Sequence, residues 1–119
     1  MTPLGKALRN LRMDREWLLK EMADGIGITP SFLSAVETGR KSPPMDLVDR
    51  IALWGKLDSK TRDKLFVALA ETTNEVTLRL RKDASYANRE AAAILARTFG
   101  DLTAEDIESI KRIVNRRRS

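Results

Sequence analysis

Apolar side chains recur along this chain in short helical bursts, each closed by a break. Leu4, Ala7, Leu8 and Leu11 step by three and four, the signature of one helix face, and the pattern breaks near residues 14–16. A second stripe holds Leu18, Leu19, Met22, Ala23 and Ile26 and stops at Gly25 and Gly27. Thr29 then offers an N-cap and Pro30 a first helical position, where a missing N–H costs nothing. The third helix runs from about Pro30 to Thr38, buries Leu33 and Val36, and ends at Gly39.

Ser42-Pro43-Pro44 opens a fourth helix, with Leu47, Val48, Ile51, Ala52 and Trp54 on its apolar side and an end near Gly55. Asp58 or Ser59 caps a fifth, with Leu65, Phe66 and Leu69 inward. Val76, Leu78 and Leu80 then alternate with Thr77, Arg79 and Arg81. That period of two predicts a short strand over 76–80, against a loop or a continued fifth helix. A sixth helix from Ala84 to Phe99 carries Ala87, Ala91, Ile94, Leu95 and Thr98 on one face, and Gly100 ends it. Thr103 and Asp106 form a capping-box pattern before a last helix with Ile107, Ile110 and Val114 facing in. Arg116 to Arg118 complement the C-terminus of that helix. The expected class is all-α, with residues 1–57 as one domain and 58–119 as a helical extension.

Composition narrows the chemistry. The 119 residues are 42% hydrophobic, enough for a packed core. Cysteine and histidine are both absent, which removes disulfides, thiolate and imidazole metal sites and the commonest general base. No phosphate-binding glycine loop is present, and Ser, Lys and carboxylates form no catalytic grouping. The expectation is no enzyme, no metal and no cofactor. Charged residues interrupt every apolar run before a membrane span could form, and the N-terminus does not read as a signal peptide, so a cytoplasmic protein is expected. The net charge of +5 suits a polyanion partner, but it is spread out. Residues 1–57 carry nine basic and seven acidic side chains, and 58–119 carry thirteen and ten.

The second and third helices are joined by a very short turn, Gly25 to Thr29. Such a turn forces a steep crossing, as in a helix-turn-helix, and leaves the third helix exposed on one side. Its N-terminal end can then enter a DNA major groove. Three stretches together resemble the Xre/Cro/C1 family of phage-repressor-type regulators: LGKALRNLR over 4–12, GITPSFLSAVETG over 27–39, and Ser42-Pro43. The resemblance covers about residues 4–55. It implies a lambda-repressor-like five-helix DNA-binding domain.

The resemblance also implies roles. Arg12 and Glu37 match a family pair that ties the first helix to the third; Glu37, beside Val36 at a core edge, needs such a partner unless both charges are solvated. Base-reading positions fall on Pro30, Ser31, Ser34 and Ala35, with Thr29 just before. None of these is a Gln, Asn or Arg able to make a bidentate base contact, so discrimination by this helix is expected to be modest. The loop Thr38 to Ser42 follows, with Arg40 and Lys41 where the family contacts phosphate. The start of the second helix departs from the family, with Leu18 and Leu19 in place of a polar cap and a phosphate-contacting glutamine. Lys20 is the candidate replacement, unless Trp17 and these leucines face a partner.

The resemblance implies, for the second half, only dimerisation or signal reception. A lone strand is not stable, so Val76, Leu78 and Leu80 are expected to pair with the same strand of a second copy. A homodimer would set two recognition helices one DNA turn apart and call for a palindromic operator. The expected function is a repressor of bacterial, phage or mobile-element origin, acting at the nucleoid. The alternative is an antitoxin that neutralises a toxin protein and represses its own operon.

Overall fold

The computed structural model describes residues 1–118, with the side chain of Arg118 outside the described part. The described residues form seven α-helices, a 3-10 turn and no strand. They divide into two compact units, Met1–Val76 and the residues from Thr77 onward.

The first unit holds five helices: α1 (Pro3–Arg15), α2 (Leu19–Ile26), α3 (Pro30–Thr38), α4 (Leu47–Gly55) and α5 (Ser59–Thr72). Local chemistry sets most of the ends. Thr2 caps α1 by accepting from the Gly5 N–H at 3.0 Å, Thr29 caps α3 through the Phe32 N–H at 3.0 Å, and Asp58 caps α5 through the Thr61 N–H at 2.8 Å. Helix α2 has only half of a capping box. The Glu21 carboxylate accepts from the Leu18 N–H at 2.9 Å, and Leu18 has no side-chain acceptor to return the bond. Helix α4 starts at Leu47, later than the sequence pattern predicts, after a turn closed by Leu47 N–H to Pro44 C=O.

The five helices share one core. Leu4, Leu8, Met22, Leu33, Val36, Leu47, Val48, Ile51 and Leu69 are its largest fully buried side chains. Helix α5 lies against α1 and α4, so it belongs to this unit rather than to the extension. Leu65, Ala68 and Leu69 make its buried stripe. Phe66, expected inward, is 57% exposed because it sits a quarter-turn off that stripe. Thr72 ties the two ends of the unit together: its hydroxyl accepts from the Leu4 N–H at 3.1 Å and donates to the Ala68 carbonyl at 2.8 Å.

The second unit is α6 (Tyr86–Thr98), the 3-10 turn Phe99–Asp101 and α7 (Ala104–Arg118). Ser85 caps α6 by accepting from the Asn88 N–H at 3.1 Å. Thr103 and Asp106 exchange both bonds of a capping box, at 3.0 and 3.1 Å. No described residue of this unit is buried. Residues 73–85 carry neither helix nor strand. The strand expected over 76–80 is therefore not formed: a strand needs a neighbour to complete its ladder, and the described chain supplies none. Val76, Leu78 and Leu80 are left exposed.

Candidate nucleic-acid interface

Helices α2 and α3 meet at a turn whose backbone is set by Gly27 at φ 79°, a left-handed conformation that suits glycine. The Ile28 N–H returns to the Ala23 carbonyl at 3.0 Å and closes α2. Arg50, from α4, secures the same end. Its guanidinium donates to the Ile26 carbonyl at 3.3 Å and to Asp46 at 2.9 Å. The turn is thus held by a residue two elements away, which the helical periodicity gave no reason to single out.

Two tryptophans, Trp17 in the turn before α2 and Trp54 on α4, pack against each other. Their rings pack tilted, with centroids 4.6 Å apart. A Cβ on Gly25 would lie 2.2 Å from the Trp54 ring, and one on Gly55 would lie 2.5 Å from Trp17. Both glycines are therefore needed for close approach, whatever their part in ending helices. The Arg15 guanidinium lies 5.5 Å from the Trp17 ring centroid, within cation–π range.

The far end of α3 is held by α1. Arg12 and Glu37 form a two-pronged ion pair, one prong at 3.1 Å and a shorter one between Arg12 Nη1 and Glu37 Oε2. Arg12 is 8% exposed and Glu37 3%. The Glu37 carbonyl also accepts from Thr2 N–H at 3.2 Å. The helices approach so closely that a Cβ on Gly5 would sit 2.1 Å from that carbonyl oxygen. Gly39, at φ 87°, turns the chain out of α3, and the N–H groups of Arg40 and Lys41 both reach the Ala35 carbonyl, at 2.8 and 3.2 Å.

This frame decides which candidate residues are available. Thr29, Ser31, Thr38, Arg40, Lys41 and Ser42 are exposed, and Pro30 and Ser34 are half-exposed. Ala35 is not: at 9% exposure its methyl belongs to the packed side of α3, not to the outer face expected of it. The only charged residue of α3 is Glu37, hidden and neutralised by Arg12. The outer face of α3 is therefore neutral and small, and cationic residues flank it. Arg40 is steadied by Nε donating to the Thr38 hydroxyl at 3.3 Å. Lys41 lies on the rim of a polar groove shared with Thr72, Thr73, Asn74 and Glu75. Lys20, on α2, pairs with Asp24 at 2.8 Å. The hydrogen bond and charge of Asp24 raise its pKa, so it stays protonated, but any phosphate must compete with Asp24 for it.

Residues 3–53 match a family model described as a helix-turn-helix domain, covering α1 to α3 and most of α4. No curated protein and no solved structure matches the chain. Over those residues the first unit is thus similar to a helix-turn-helix domain. Among the described residues no helix is long and apolar enough to cross a membrane.

Proposed function

We propose that this chain is a transcriptional regulator of the Xre/Cro/C1 kind, a non-enzymatic protein that binds double-stranded DNA in the bacterial cytoplasm. It acts as a homodimer on a palindromic operator and represses transcription there. One observation carries the reading: a neutral, uncluttered outer face on α3, rigidly backed by the Arg12–Glu37 pair and bordered by exposed Arg40 and Lys41. A helix of this shape fits a major groove, and its N-terminus and the loop after it favour phosphate. Ser31 and Ser34 offer single hydrogen bonds to bases. Much of the affinity is then electrostatic, and part of the specificity comes from DNA shape and from the spacing of two half-sites.

The direct test is binding to the DNA upstream of the protein's own gene, compared with random DNA across a salt series. Specific binding with a steep salt slope is expected. Equal binding to both DNAs would remove the operator-specific reading. Replacing Arg40 and Lys41 by Ala should lower the salt slope by about two units on every sequence. Ser31→Ala with Ser34→Ala should instead narrow the gap between operator and random DNA.

A second reading is an antitoxin. The exposed apolar side chains of the second unit favour it, since a toxin could cover them as well as a second copy would. A purified chain that is monomeric at micromolar concentration, yet binds a basic protein encoded beside it, would replace the homodimer by this arrangement.

A further inference from the structure

No described residue of the second unit is buried, and its last helix shows what it lacks. Ile107, Ile110 and Val114 follow one another along one stripe of α7, with Ile113 beside them. Ile107 and Ile110 are half-buried, whereas Ile113 and Val114 are 55% and 52% exposed. The later part of the stripe is therefore more exposed than its start.

The charges bordering the stripe are distributed unevenly. Asp106 at the start of the helix and Arg117 near its end fall on the Ile113 side of the line of Ile107, Ile110 and Val114, between Ile110 and Ile113. They are eleven positions apart, which at about 100° per residue is three turns and a small remainder. A second α7 laid antiparallel along the stripe would bring each Asp106 against the other's Arg117. Laid parallel, it would set Asp106 against Asp106 and Arg117 against Arg117. On the other edge Glu108 and Lys111 already pair within the helix at 3.6 Å. Exposed ion pairs add little affinity, but like-charge contacts choose the orientation.

We propose that α7 is a self-recognition surface: it pairs antiparallel with α7 of a second copy, burying Ile110, Ile113 and Val114 around a twofold axis. Reciprocal Asp106–Arg117 contacts close the two ends. This rests on the homodimer reading and names its surface. The apolar stripe supplies the affinity, and the bordering charges exclude the parallel arrangement.

The test is sedimentation of the full chain over a concentration series. Ile113→Glu with Val114→Glu changes side chains that are exposed in the single chain, so the fold of the first unit, read by tryptophan emission, should not change. Self-association should weaken at least about a hundredfold, the effect of losing two buried aliphatic contacts. Arg117→Glu, which disturbs no helix cap, should weaken self-association because it leaves like charges facing. Asp106→Lys should weaken it for the same reason and also by removing the acceptor of the Thr103 N–H at the start of α7. An equal mixture of the two variants should recover it as a heterodimer, with both contacts complementary again.

A wild-type chain that stays monomeric would overturn both the homodimer and this surface. A dimer indifferent to the Ile113 and Val114 changes would overturn only the surface. An Asp106→Lys chain that associates as tightly as wild type would rule out the antiparallel arrangement.

Discussion

The two units of this protein are helical for different reasons. In Met1–Val76 five helices close on a shared core, and every buried hydrophobic side chain among the described residues lies there. From Thr77 onward the helices are started by good caps at Ser85 and at Thr103 with Asp106, yet no described residue there is buried. Capping and helix propensity stabilise a helix of 13 or 15 residues only marginally in water. The first unit therefore carries its own stability, and the second needs an added surface. Charge divides the same way: residues 1–76 hold twelve basic and eleven acidic side chains, and 77–119 hold ten and six. The basic excess sits mainly outside the helix-turn-helix. If the proposed function holds, that domain would meet DNA through a few placed cations rather than through a general positive field.

The comparison can be broken most directly by cutting after Val76. A 1–76 fragment should keep a cooperative unfolding transition by tryptophan emission, since both tryptophans and the whole core are in it. A 77–119 fragment should lose most of its helical circular dichroism on dilution. A helical 77–119 fragment at sub-micromolar concentration would show that the contrast is wrong.

Within the first unit, the largest single-residue effect is expected at Arg12→Ala. It leaves the Glu37 carboxylate buried without its partner and should cost about 3–5 kcal/mol in urea unfolding. A loss of DNA affinity with unchanged stability would contradict the structural role of the pair. Gly5→Ala is next. The added Cβ meets the Glu37 backbone carbonyl, which cannot swing aside, and a loss of about 1–3 kcal/mol is expected from the same melts.

The smallest effect is at Asp58 and shows only in acid. The Thr61 hydroxyl and N–H hold the Asp58 carboxylate below its ordinary pKa, with Arg15 and Lys60 adding to it. A lowered folded pKa means that this stabilisation is complete above the ordinary carboxylate range and is lost as pH falls through the folded value. Asp58→Asn keeps the cap acceptor, so near neutrality it should change the urea midpoint little. Between about pH 5 and pH 2 its stability should fall less steeply than that of wild type. An unchanged acid slope would show that Asp58 gains nothing from its charge.

Much of the helix-turn-helix was legible because it is written in local code. Thr29, Pro30 and Gly39 mark the ends of α3 by chemistry acting within four residues, and the stripes of α1 and α2 show their inner faces by spacing alone. The period-two run at 76–80 misled because alternation reports a strand only where a neighbour exists to pair with it. Phe66 was misplaced for a related reason. Hydrophobicity alone does not say on which side of a stripe boundary a residue falls.

By itself, then, the sequence determined the helices, their caps, the short turn that defines the motif, and the lack of histidine and cysteine chemistry. Only the tertiary structure decided what depends on residues distant in the chain. It put Arg50 on the last carbonyl of α2, Thr72 on the first turn of α1, and Gly25 and Gly55 beneath the tryptophan rings. It also turned Ala35 inward and placed α5 with the first unit. Caps and periodicity act over one turn of helix. Close approach, buried pairing and the exposure of an apolar face are set only when segments far apart in the chain come together.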